Sequence, residues 1–274
     1  MQASSLRSVA AGTIAVAAIV GFSVFAALTH KVSAATTITS GDLIRGQSYS
    51  AVYYMGADGF RYVFPNEKTY FTWYSNFDSV KFISDADLGN IQIGGNVTYK
   101  PGSKMIKINT DPKVYAVSNG GVLHWVSTAD AAIALEGNAW NTRIDDVPDG
   151  FFSNYSTTGT TLTGTADATA FGDSFGNLDA QNITINEDKD LTVPVEISIT
   201  NSAYSPLSAT IGVNRTVRFT NNGTDVHTAT GDDGVWGTGT ILSGGNFIVR
   251  FTQAGTYTFY DGYDHSLSGA IYVQ

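Results

Sequence analysis

Cysteine is absent from all 274 residues. That excludes disulfide bonds, anchoring through a lipid-modified cysteine, and any metal centre that depends on a thiolate ligand. Basic residues are scarce, with 15 Lys and Arg against 24 Asp and Glu. An acidic surface repels phosphate backbones, so nucleic acid is excluded as a partner. Catalytic signatures are missing as well. The chain has no Ser-His-Asp spacing, no Gly-rich phosphate loop behind a strand, and no His-Glu-x-x-His. Paired carboxylates fall in loops with nothing to poise them. The expectation is a protein that is not an enzyme.

What is present divides along the chain. Arg7 precedes an unbroken apolar and small-residue run from Val9 to Leu28, and Val32-Ser33-Ala34 then places small residues at the −3 and −1 positions of a cleavage site. Residues 1–34 therefore read as a secretory signal peptide, cut after Ala34. The alternative is an uncleaved membrane anchor, since 20 apolar residues can span a bilayer. Removing Arg7 and Lys31 leaves 13 basic against 24 acidic residues, a net charge of −11. With 14 Tyr, 15 Phe and 4 Trp, the rest of the chain can build cores without disulfides, and its 29 Gly with many Val, Ile and Thr favour β-structure. The fold class expected is mainly β.

Residues 43–152 hold an internal repeat. Leu43-Ile44-Arg45 aligns with Met105-Ile106-Lys107, and Val52-Tyr53 with Val114-Tyr115, both at an offset of 62 residues. Each unit, about 43–104 and 105–152, begins with two short alternating runs around Asp58-Gly59 or Asn119-Gly120, a strong hairpin signal. A short helix is expected after each hairpin, opening at Pro65-Asn66-Glu67 in the first unit and at Ser127-Thr128-Ala129-Asp130 in the second. A hairpin-like piece, Val97 to Gly102, is expected to bridge the units. Residues 35–152 thus form one α+β two-repeat domain, an interaction module. The pattern resembles a repeat of exported and cell-surface proteins from poorly characterised bacteria, built on VY-x-V-x-x-G-x-x-R-W. Trp73, Trp125 and Trp140 are read as core aromatics, with a sugar-stacking surface as the alternative. His124 is read as a hairpin side chain.

Residues 153–192 are polar and small, from Ser153-Asn154-Tyr155-Ser156 to Asn186-Glu187-Asp188-Lys189-Asp190. They read as an extended linker with one or two weak strands near Ile183-Thr184-Ile185. Beyond it, residues 193–274 alternate as half-buried strands do, in Val195-Glu196-Ile197-Ser198-Ile199, Thr216 to Thr220 and Phe247 to Phe251. About seven strands in some 80 residues imply a β-sandwich.

The order of this last segment resembles the cupredoxin (plastocyanin-like) family: Val217-Arg218-Phe219-Thr220-Asn221-Asn222, then His227-Thr228, then Gly255-Thr256-Tyr257-Thr258-Phe259-Tyr260, then His265-Ser266-Leu267-Ser268-Gly269. The resemblance implies a Greek-key β-sandwich with a copper site at one end. His227 matches the family's first imidazole. Asp261 stands where the Cys would follow the Tyr-rich strand, Asp264 and His265 stand at alternative spacings of the second His, and Leu267 stands near the axial Met. A blue copper centre is thereby ruled out. The candidate metal ligands are His227, His265, Asp261 and Asp264, a set suited to non-blue Cu(II) and less well to Zn(II). The leading expectation is a metal-free sandwich in which these are ordinary loop residues, with metal binding as the alternative. The sequence thus points to an exported, non-catalytic protein of the cell surface or periplasm, with an unidentified cell-envelope protein or glycan as partner. The alternatives are a copper-binding or electron-transfer metalloprotein and a cell-wall carbohydrate-binding module.

Overall fold

The computed structural model describes residues 37–174 and 183–274. The expected signal peptide lies outside the described residues. Among those described, no helix is long and apolar enough to cross a membrane.

The chain opens with β1 (Leu43–Gly46), β2 (Tyr53–Met55), β3 (Arg61–Val63), α1 (Glu67–Trp73), β4 (Val80–Ile83), α2 (Asp85–Asn90) and β5 (Ile93–Asn96). These strands form one five-stranded sheet in the order β4-β1-β2-β3-β5. Strand β1 pairs antiparallel with β2 and parallel with β4, with Leu43 opposite Val80. A second run gives β6 (Met105–Ile108), β7 (Val114–Ser118), β8 (Val122–Val126), α3 (Ala129–Glu136), β9 (Ile144–Val147) and α4 (Asp149–Phe152). Its sheet runs β8-β7-β6-β9, and β6 pairs antiparallel with β7 and parallel with β9, with Met105 opposite Ile144. The helices start where side chains satisfy their first backbone N–H groups: Asn66 accepts from Thr69 N, and Thr128 from Ala131 N. Between the sheets, residues 97–100 are buried but form no strand, so the expected hairpin there does not exist. Tyr99 N donates instead to Tyr155 Oη, and the carbonyl of Thr98 accepts from Trp73 Nε1. Side chains thus serve the backbone that a ladder would otherwise satisfy.

The segment read as a linker is largely structured where it is described. Backbone bridges join Ser156 to Val122 and Leu162 to Val126. Helix α5 (Thr165–Ser174) then lays Ala168 and Phe171 into the core holding Ala131, Ala132 and Leu162. Helix α6 (Ile185–Asp188) replaces the weak strand expected near Ile183. Thr184 and Glu187 form a reciprocal capping box there, and Ile185 is buried. The physical reason is economy of apolar contact: a few well-spaced residues bury enough surface to order a polar segment.

Eight strands follow: β10 (Val195–Thr200), β11 (Ala203–Ser205), β12 (Ser208–Ile211), β13 (Arg215–Asn221), β14 (Thr230–Gly231), β15 (Asn246–Phe251), β16 (Gly255–Tyr260) and β17 (Ser268–Val273). They make two four-stranded sheets, β11-β10-β13-β15 and β12-β17-β16-β14. Alternation decides what lies between them: Val217 and Phe219 point inward from β13, while Arg218 points out to Glu196 on β10. Phe219 meets Phe259 edge to face at 5.3 Å, and Tyr204 meets Phe259 at 4.9 Å. Full burial of such rings contributes roughly 2–3 kcal/mol each. The molecule is mainly β, and this part is a β-sandwich.

Candidate functional site

Two loops meet at one end of the sandwich. The first leaves β13 at its last residue, Asn221, and carries Gly223, His227 and Thr228. The second follows β16 and carries Asp261, Asp264 and His265. The first loop is fixed by Asn221, which is fully buried. Its Nδ2 donates to the carbonyls of Asp225 and Ile241, and its Oδ1 accepts from Gly223 N. His227 is then pinned by a two-way backbone pairing with Ile241. Gly223 is required by close approach, because a Cβ there would lie 2.1 Å from Asn201 Oδ1 and 3.2 Å from His227 Nε2.

Asp261 has no exposed surface and His227 is 4% exposed. His227 Nδ1 lies 2.6 Å from Asp261 Oδ2. Asp261 Oδ1 accepts from Thr228 N at 2.9 Å and from Tyr263 N at 3.1 Å. With backbone N–H donors already on one oxygen, the carboxylate serves as acceptor, so His227 Nδ1 donates to the other. Thr228 Oγ1 accepts from Gly262 N at 2.7 Å, and the Thr228 carbonyl accepts from Tyr204 Oη. Two loops separated by more than 30 residues are thereby tied through one buried carboxylate. Burial and the nearby Asp261 charge push the Tyr204 hydroxyl well above its ordinary pKa, which keeps it a donor.

Of the four candidate ligands, the structure brings His227 and Asp261 together. His265 is exposed, with its ring edge-on to Tyr260 at 4.8 Å. Asp264 is exposed, and its Oδ1 accepts from Ser266 N and Oγ. Those hydrogen bonds, with smaller attractions from His227 and His265, hold its carboxyl below the ordinary value. Leu267, which the sequence resemblance sets near the axial Met, packs into the sandwich core. Among the described residues, no three His, Asp or Glu side chains converge as metal ligands would. The central pair also has the wrong separation. Two ligands bonded to one Cu(II) or Zn(II) at about 2.0–2.2 Å stand about 3 Å or more apart. A separation of 2.6 Å is that of a short charge-assisted hydrogen bond. As placed, these residues do not fit an ion between them.

Sequence reasoning singled out the His and the acids but missed Thr228, Asn221 and Asn201. Thr228 adjoins a candidate ligand, and Asn221 falls on the inward phase of the β13 alternation, so both carried a readable signal. Nothing in sequence marked Asn201, which approaches His227 Nε2 at 3.4 Å from a different turn. Among the described residues the remaining imidazole, His124, is a hairpin side chain. It holds Ser118 Oγ at 3.0 Å and the Thr160 carbonyl at 3.1 Å, and burial lowers its pKa.

No family model matches the chain, and no curated protein matches it. Similar solved structures include a purple cupredoxin from Nitrosopumilus maritimus, at 24% identity over 29% of this chain and 99% of that one, with a TM-score of 0.28. A variant of amicyanin in a reduced Cu(I) form is similar at 20% identity, over 30% of this chain and 82% of its own, with a TM-score of 0.29. A copper-containing nitrite reductase from Thermus scotoductus is similar at 22% identity, over 30% of this chain and 23% of that one, with a TM-score of 0.28.

Proposed function

We propose that this chain is an exported, non-catalytic binding protein of the cell surface or periplasm, in which a cupredoxin-like sandwich serves as a rigid frame. The observation that carries the reading is the His227–Asp261 hydrogen bond, made by a carboxylate at the position where the resemblance places a thiolate. The residues that would grip copper grip each other. Residues 37–152 then supply the binding half, as two copies of one repeat. The shared connectivity of the two sheets and the paired registers Leu43–Val80 and Met105–Ile144 support that reading. The partner is a cell-envelope protein or glycan.

A second reading is favoured by one observation: the loops that carry His227, Asp261, Asp264 and His265, the residues the resemblance places at or near ligand positions, meet at one end of the sandwich, with His227 and Asp261 in contact. Were Asp261 to release His227, the loops could hold Cu(II), or less readily Zn(II), through His227, His265, Asp261 and Asp264. Copper(II) titration followed by EPR separates the readings. The closed pair predicts no stoichiometric site in wild type. A saturable site with nitrogen ligands, lost in a His227→Ala, His265→Ala double variant, would establish the second. Neither reading allows intense blue absorption, because the chain has no thiolate. Export is tested by intact mass of the secreted protein, with an N-terminus expected near Ala35. Full-length chain in the membrane fraction would favour the anchor.

A further inference from the structure

Two surface cavities lie in the repeat half, one of 570 Å³ and one of 310 Å³. Both fall in the range of about 300–1,000 Å³ common for small-ligand sites. Their linings are related by the repeat. Nine positions of the first, from Ser50 to Tyr70, recur in the second at an offset of 62 residues, from Pro112 to Ala132. The offset is the one that aligns β1 with β6. Asn66 and Thr128, which cap α1 and α3, are one such pair. Each cavity therefore sits between the open end of a hairpin and the start of the following helix. Each also gains a downstream aromatic wall, Phe77 in the first and Trp140 in the second.

The chemistry inside narrows the ligand. The first cavity carries one ionic group, Glu67, and the second carries one of opposite sign, Lys113. At the offset of 62 the partners of these residues are Ala129 and Ala51, so neither charge recurs. A ligand class common to both cavities is therefore neutral. What the two linings share is an aromatic face with hydroxyl or amide groups nearby, although of these only Asn66 and Thr128 are paired by the offset. Ser50 and Asn66 lie in the first cavity, and Ser127 and Thr128 in the second, where both hydroxyls donate to the carbonyls of Leu162 and Thr163 and remain only as acceptors. Phe77 is 46% exposed and stacks on Tyr70 at 4.4 Å, which presents its outer face. Trp125 already has the Lys113 cation over its ring at 5.0 Å, which leaves Trp140 as the stacking wall of the second cavity. An apolar ring face beside neutral hydrogen-bonding groups suits a pyranose ring, which has C–H faces and a hydroxyl edge. Two matched cavities on one chain suit a ligand that is itself a repeat.

We propose that the two cavities are paired subsites for a neutral glycan chain, with Phe77 and Trp140 as stacking residues. This deepens the reading of residues 37–152 as the binding half and rests on it. Two sites on one chain raise affinity for a polymer well above that of either alone.

The test titrates the full chain with hexasaccharides of glucose, N-acetylglucosamine, xylose and mannose, followed by tryptophan fluorescence and calorimetry. Polygalacturonate serves as the charged control. At least one neutral hexasaccharide should bind. Phe77→Ala and Trp140→Ala should each weaken it about tenfold, and the double variant should bind beyond detection. Phe77→Tyr and Trp140→Phe should retain binding, because the ring is kept. Ser50→Arg and Ala129→Arg fill the cavities from exposed positions without removing a core contact, and should mimic the alanine variants. Failure of every neutral probe, or binding as tight as wild type by the double variant and the cavity-filling variants, overturns the proposal. The parent reading is scored separately, by retention of the full chain on purified cell envelopes. Retention that survives the cavity-filling variants leaves that reading standing and removes this one.

Discussion

Asp261 has no contact with solvent, and both its oxygens are turned inward on His227, Thr228 and Tyr263. A buried carboxylate is costly to desolvate, and it persists because every lone pair that matters is met. Removing it strands two backbone N–H groups and an imidazole N–H in a dry site. Asp261→Ala should therefore lose about 3–5 kcal/mol of stability, read by urea unfolding. Asp261→Asn keeps an acceptor for Thr228 N and should lose less. Equal small losses in both would show that the tie between the loops contributes little. This part of the site was half legible in sequence. The positions of His227 and Asp261 could be read from the strand pattern around them. That Asp261 would bond to His227 rather than join it around an ion could not, because sequence does not fix a distance of tenths of an ångström.

Among the elements, α5 and α6 show where composition misleads. Residues 153–192 carry few apolar side chains, but Leu162 is 3% exposed and Ala168 1%, and both reach the α3 core. Leu162→Ala should lose about 3 kcal/mol, whereas a loose linker would register almost nothing. The hairpins and the helices after them were legible, since alternation and N-caps are local signals. Helix α6 was legible in principle too: Thr184-Ile185-Asn186-Glu187 has the spacing of a capping box, which the alternation around Ile183 obscured. Its last residue, Asp188, accepts from Gly120 N, but its second oxygen is buried without a partner. Burial pushes its carboxyl up to about 6, against smaller lowering by the Gly120 N–H and Lys189. A carboxyl raised from 3.8 to about 6 binds its proton more tightly in the folded state. Stability should then fall as pH rises from about 4 to 6, by about 3 kcal/mol, and the penalty stays in place above that window. Asp188→Asn should stabilise the protein at pH 7 and make no difference below pH 4, measured by thermal melts. A gain that is the same at both pH values would contradict the assignment.

At the scale of the whole molecule, the segment from Thr37 to Phe152 and the sandwich share a polar and apolar seam. The Gln92 side chain pairs with the backbone of Ile248 through both its amide groups, at 2.8 and 3.0 Å, and so covers the outer edge of β15 as another strand would. Ile248 itself packs into the core of the first sheet. Asp58, 2% exposed, accepts from Tyr62 Oη at 2.6 Å and pairs with Arg250 of β15. Gly59 turns beneath this seam with φ +86°, where a Cβ would meet Ile248 and Arg218 at about 2.5 Å. None of this was visible in sequence, because the partners lie more than 150 residues apart. A double-mutant cycle of Asp58→Ala and Arg250→Ala should give a coupling on the order of 1–3 kcal/mol, with both halves melting in one transition. Additive losses and two separate transitions would mean that the halves are independent.

The central claim is that the end of the sandwich is closed by a hydrogen bond between His227 and Asp261. Long-range ¹H–¹⁵N correlation of the histidine rings, before and after one equivalent of Zn(II), reads it directly. The account predicts a protonated His227 Nδ1 with a far-downfield, exchange-protected proton that is unchanged by zinc and lost in Asp261→Ala. An Nδ1 without a proton, shifting stoichiometrically as Zn(II) is added, would contradict it.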